Sequence, residues 1–116
     1  MKELFREQFL YRHPQVSKLE TDFSFSDREI SVLRKLAEKV ALIAESDAMK
    51  QKQKLWMDNH DLKSSYPVIF VDPENGWNEI LTDEVMQCED PLARTWENSL
   101  RKDIYSAEII KDDRVI

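Results

Sequence analysis

A single glycine, Gly76, serves the whole chain of 116 residues. Average usage would give about eight. A G-x-G-x-x-G turn or a G-x-x-x-x-G-K phosphate loop needs several residues without a Cβ, so nucleotide binding by either route is excluded. Turns must instead be built from Pro, Asn, Asp and Ser, and of the four prolines Pro14, Pro67 and Pro91 mark where helices stop or start, while Pro73 belongs to a turn. The length matches one small domain, and two complete enzyme domains will not fit. With 41% apolar and 34% charged residues, the composition is that of a globular chain able to form a core.

The net charge of −6 argues against a nucleic-acid backbone as partner, because neutralising phosphates requires a surplus of Lys and Arg on one face. Lys50, Lys52 and Lys54 fall on different helix faces and form no basic patch. The N-terminal stretch is broken by Lys2, Glu3, Arg6 and Glu7, so it lacks the apolar run of a signal peptide. The longest apolar run, Val40 to Ala44, is far short of the roughly 20 residues that cross a bilayer. One cysteine, Cys88, allows no internal disulfide framework and no multi-cysteine zinc site. The expectation is a cytoplasmic chain in a reducing compartment, with neither nucleic acid nor membrane as partner.

Three stretches follow. Residues 1–25 form an arm with a short amphipathic helix, in which Leu4, Phe5 and Phe9 precede the His13-Pro14 break. Residues 26–65 form a helical segment. Ser26 and Glu29 make an S-x-x-E capping box, and Phe25 is placed to staple onto Ile30. The core stripe of this helix reads Ile30, Leu33, Leu36 or Ala37, Val40, Ala41 and Ala44. Ser46-Asp47 predicts a kink or break and a second helix to about residue 60, with Ala48, Met49, Leu55, Trp56 and Asn59 approaching the core.

Residues 66–116 read as a first βα unit. Tyr66-Pro67 stops any helix, and Val68 to Val71 is an unalternating β-favouring run, as in a strand buried on both faces. Asp72-Pro73-Glu74-Asn75-Gly76 ends it in a turn. Short helical turns are expected at 77–81 and 82–87, the second capped by Thr82. Asp90 as N-cap and Pro91 at the first helical position open a helix with the stripe Leu92, Trp96, Leu100, Ile104 and Ala107. Residues 112–116 read as a turn and the onset of another strand. The fold class is thus an α/β fragment, mostly helical, which looks truncated because two strands do not make a stable parallel sheet.

The loop 72–90 holds seven acidic residues and no Lys or Arg. Loops of about 19 residues inside a compact domain are often functional. Asp72 and Glu74 are therefore the candidates for acid–base work, and Asp72, Glu74, Asn75 and Trp77 for substrate binding. Turn chemistry alone already accounts for Asp72, Asn75 and Gly76. Trp96 lies at helical spacing with leucines and reads as core, whereas Trp77 sits beside the loop. His60, between Asp58 and Asp61, reads as a helix-end residue rather than a metal ligand, and no metal site is assigned. Cys88 has acidic neighbours that disfavour its thiolate.

The stretches L-W-M-D-N-H-D-L-K (Leu55 to Lys63), Y-P-V-I-F-V-D-P-E-N-G-W (Tyr66 to Trp77) and C-E-D-P-L-A-R-T-W-E (Cys88 to Glu97) resemble the beginning of microbial proteins of the uroporphyrinogen decarboxylase-like superfamily. Some of these are labelled trimethylamine corrinoid protein or cobamide-dependent methyltransferase. The resemblance implies N-terminal helices followed by the first βα unit of a (β/α)8 barrel, with Val68 to Val71 as its first strand. It implies a module of a corrinoid-dependent methyltransferase-like protein that is not catalytic alone. No cofactor is then held by this chain itself, and a corrinoid belongs to the full-length parent. The rim of that parent's pocket would include Asp72, Glu74, Asn75 and Trp77. Two features depart from the pattern: there is no H-x-C zinc motif, and the loop after the strand is acidic where the decarboxylases carry arginines. The alternative is a self-contained helical interaction or dimerisation domain. In either case the expected partner is polypeptide, the rest of the barrel or another copy of the chain.

Overall fold

The computed structural model describes residues 25–63 and 66–116; the expected helix of residues 1–12 lies outside them. Among the described residues four α-helices follow in chain order: α1 (Asp27–Ala44), α2 (Asp47–His60), the short α3 (Trp77–Ile80) and α4 (Pro91–Tyr105). A 3₁₀ turn, Glu74–Gly76, precedes α3, and a π-helical turn, Ser106–Ile110, continues α4. Helices take up 66% of the described residues.

Each helix start follows from a side chain with an oxygen to offer. Ser26 and Glu29 close the reciprocal capping box on α1, with Glu29 N–H donating to Ser26 Oγ at 3.2 Å and Ser26 N–H to Glu29 Oε1 at 3.2 Å. The break between α1 and α2 falls at Glu45 and Ser46, where Ser46 Oγ accepts from Met49 N–H. Asp90 caps α4 by accepting from Leu92 and Ala93 N–H at 3.0 and 3.1 Å, and Pro91 stands where its missing N–H costs nothing. At the far end of α4, Lys111 takes a left-handed φ of 53° and its N–H closes on Ser106 O at 2.8 Å.

The core sits between α1 and α4. Leu33, Cys88 and Ala93 form its centre, with Phe25, Val32 and Leu100 packed against them. Phe25 meets the Trp96 ring edge-on at a centroid distance of 5.5 Å, so the residue before the cap is anchored by α4. The α1 stripe is narrower than its spacing suggests, because Ala37 and Ala41 are exposed. On α4 the buried face is Leu92, Ala93 and Glu97, while Trp96 is 37% exposed. The expected stripe holds at Leu92 and Leu100, while Glu97 and not Trp96 is the fully buried residue between them. α2 buries Met49, leaves Leu55 and Asn59 half-buried, and exposes Ala48 and Trp56. Its side chains reach later parts of the chain through hydrogen bonds from Trp56 Nε1–H to Asp113 O and from Asn59 Nδ2–H to Tyr66 O.

The expected strand at 68–71 is not formed, and no described residue lies in a strand. The reason is a lack of ladder partners. Asp113 N–H donates to Ile69 O at 2.9 Å, but Ile69 and Val71 N–H go to the side chains of Asp113 and Asp112, at 2.8 and 2.7 Å. Residues 69–71 and 112–114 are therefore neighbours, as a βαβ crossover would place them, without forming a ladder. Residues 82–87 give a hydrogen-bonded turn rather than a helix, in which Val85 and Met86 N–H reach the Thr82 carbonyl instead of its hydroxyl.

Candidate functional site

The acidic loop brings Asp72 and Trp77 together. Asp72 Oδ1 accepts from Glu74 N–H at 3.0 Å and from the Trp77 indole N–H at 3.2 Å. These two bonds, the Glu74 one first, hold the Asp72 carboxyl below its ordinary range, and the charges of Arg114 and Lys102 act in the same direction. Asp72 is therefore an ionised turn former, poorly suited to donating a proton at neutral pH. What Glu74 contributes to it is a backbone N–H, and the Glu74 side chain, on a residue with a left-handed φ of 52°, is exposed. Asn75 is exposed as well. Trp77 is buried, edge-on to Tyr105 at 5.6 Å and beneath the Lys102 ammonium at 5.4 Å. The four expected substrate-binding residues thus share one turn, with two of them turned to its own support and two facing solvent.

The denser polar arrangement lies at the other end of the loop. Gln87 N–H reaches both oxygens of Glu97, at 2.9 and 3.0 Å, and Cys88 N–H reaches Glu97 Oε1 at 2.9 Å. Glu89 and Asp90 N–H both donate to Glu29 Oε2, at 3.0 and 2.9 Å. With the Asp90 cap, each backbone N–H from Gln87 to Ala93 ends on a carboxylate oxygen, and Pro91 has none to offer. Glu97 is 0% exposed, and the guanidinium of Arg101 completes its shell with a 2.8 Å bond from Nε. Arg94 clamps the loop from outside, donating to Cys88 O and pairing with Asp83.

The energetics follow from those partners. Burial pushes the Glu97 carboxyl up, but the bonds from Cys88, Gln87 and Arg101 outweigh it, and the group sits below its ordinary range. Glu29 is lowered chiefly by the Asp90 N–H, against a smaller opposing effect of burial. Both are ionised at neutral pH, which satisfies the requirement that a buried charge be fully hydrogen-bonded. The same surroundings push the Cys88 thiol up to about 11, through burial first and the Glu97 charge second. A thiol so placed is no nucleophile at neutral pH. Asp103, on α4, is the one described carboxyl shifted upward, by burial and against the pull of Arg114.

Glu97 and the second role of Glu29 were not legible as functional residues. The S-x-x-E pattern explains one Glu29 oxygen, and the i,i+4 spacing of Glu97 and Arg101 is the only signal in the sequence for the other carboxylate. Among the described residues no group of three or more His, Cys, Asp or Glu is arranged to hold a metal, and His60 is an exposed last-turn residue of α2. No described helix is long and apolar enough to cross a membrane.

A second feature is apolar. A groove of about 560 Å³ runs between α1 and α4, walled by Phe25, Ile30, Leu33, Ala37, Trp96 and Leu100, with Arg34 and Ser99 as its polar members. Arg34 has no ion-pair partner among the described residues. No protein-family model matches the sequence, and no curated protein or solved structure matches it either.

Proposed function

We propose that the chain is a binding module whose groove between α1 and α4 takes the apolar face of a helix from another polypeptide. The groove carries this reading: its walls are aliphatic and aromatic, and the Arg34 guanidinium at the wall, which has no ion-pair partner among the described residues, suits a partner helix with an acidic residue beside its apolar stripe. Glu29 and Glu97 support the same view from the other side, because both are engaged with backbone N–H groups of residues 87–90 and are not turned toward the groove or toward Asp72.

The test places a photo-crosslinking residue at Ala37 in the full chain, with the same residue at Lys54 on α2 as control. Ala37 should yield one dominant protein adduct whose crosslinked peptide is an amphipathic helix, Lys54 should not, and Leu100→Glu should abolish the adduct. Equal labelling from both positions would sink the proposal.

A second reading is favoured by one observation, the adjacency of residues 69–71 and 112–114 on either side of α4 in the chain. On that reading the chain is the leading part of a corrinoid-dependent methyltransferase-like barrel of the uroporphyrinogen decarboxylase-like superfamily. Asp72, Glu74, Asn75 and Trp77 would border the pocket of the parent, and methyl transfer would require the parent's remaining strands. Sequencing the source gene beyond codon 116 tests it: an open frame with alternating strand and helix patterns supports the barrel, and a stop codon overturns it.

A further inference from the structure

The groove between α1 and α4 lies where residues 1–24 join the described chain. Phe25, the next residue, forms one of its walls, with the ring held edge-on to Trp96 at 5.5 Å. From Ile30 to Ala37 the α1 wall is about 10 Å long, two turns of helix. Residues 13–24 span up to about 40 Å when extended, so residues 1–12 can reach any part of that wall.

The spacing of residues 1–12 matches what the groove requires. On a helix of about 3.6 residues per turn, Leu4, Phe5, Phe9 and Tyr11 fall on one face over about two turns, and Leu10 falls outside it. Glu3 and Glu7 flank that face on the Leu4 and Tyr11 side, and Lys2 and Arg6 flank it on the Phe9 side. An apolar stripe with an acid beside it is the partner that the Arg34 wall suits.

We infer, resting on the reading of the groove as a helix site, that residues 1–12 occupy the groove of their own chain, so that a partner helix binds only by displacing them. Tethering favours this occupant. A segment joined through residues 13–24 meets the groove at an effective concentration of about a millimolar, which a foreign helix at micromolar level must overcome.

The test has two arms, both on the full chain. In the first, purified chain at about 1 µM, with the photo-crosslinking residue at Ala37, is irradiated as an equal mixture with an isotope-labelled copy. Ala37 should join a peptide from residues 1–12 of the same copy, and Lys54 should give no such product. In the second, a fluorescent peptide of residues 1–12 is titrated into the natural chain and into a released chain carrying Phe5→Asp and Phe9→Asp. The released chain should bind it at least about tenfold more tightly, because its own segment no longer competes. Leu100→Glu in the released chain should abolish binding. A Glu7→Lys peptide should bind the released chain about threefold more weakly, and Arg34→Glu should restore it. Products that mix the isotopes overturn the inference in favour of a second copy's segment. Equal affinity of the natural and released chains overturns it while leaving the groove a helix site. A peptide that neither chain binds overturns it as well, and an Ala37 adduct with another protein, abolished by Leu100→Glu, would still support the groove as a site for a foreign helix.

Discussion

The α1–α4 end of the molecule and the 66–71/112–114 end use the same chemical device in opposite surroundings. In both, carboxylates replace a ladder by accepting backbone N–H groups: Glu97 and Glu29 at residues 87–90, Asp112 and Asp113 at residues 69–71. At the first end the carboxylates lie among Leu33, Cys88 and Ala93, and the apolar side chains close over them. At the second, Ile69, Phe70 and Val71 remain outside, and the hydrogen bonds hold a segment with no core of its own. The difference teaches that hydrogen-bond satisfaction and apolar burial are separate requirements. A chain segment can meet the first and still leave a surface that calls for a partner.

Glu97→Ala is the most severe way to probe that contrast. It strands the Gln87 and Cys88 N–H groups and the Arg101 guanidinium, and should cost about 3–5 kcal/mol in urea unfolding. Cys88 should then become open to alkylation at neutral pH. A loss under about 1 kcal/mol would show that the buried carboxylate is not what holds the loop.

Acid should act on the same end, more gradually. Glu29 and Glu97 have lowered pKa values in the folded chain, so the unfolded chain takes up their protons first as pH falls. Their contribution is complete well above the ordinary carboxylate pKa of about 4.3 and is lost as pH drops through the folded values, at up to about 1.4 kcal/mol per pH unit for each group. Urea midpoints followed from pH 7 down to pH 3 should fall below about pH 5, and Glu97→Gln should flatten that slope. A flat profile would break the assignment.

The smallest effect is expected at the other end. Asp112→Ala removes the acceptor of the Val71 N–H and should cost about 1 kcal/mol, with faster hydrogen exchange at Val71 and little change at Cys88. A cost equal to that of Glu97→Ala would mean that residues 69–71 belong to the same cooperative unit as the α1–α4 core.

Much of the helical frame was legible because its signals are local. Ser26 with Glu29, Ser46 and Asp90 with Pro91 each satisfy the free N–H groups of the turn that follows, and that chemistry depends on residues within four positions. The strand was misread for the complementary reason. Val68 to Val71 have the residue types of a buried strand, but a strand exists only when another backbone supplies donors and acceptors, and here the acceptors are the side chains of residues 112 and 113, with one backbone donor, the Asp113 N–H. The acidic loop was read by its charges, yet its organised groups are its backbone N–H donors.

What the sequence determined by itself is where α1, α2 and α4 begin, which follows from the capping side chains of Ser26, Ser46 and Asp90 and from Pro91. Which face of α4 lies inside was decided only in the tertiary structure. Leu92, Trp96 and Leu100 are apolar and Glu97 is charged, so transfer energies alone would put Trp96 in and Glu97 out. The packed chain buries Glu97 fully and leaves Trp96 37% exposed, because the Gln87 and Cys88 N–H groups end on the Glu97 carboxylate. An ionised carboxylate meets those donors where an indole ring cannot.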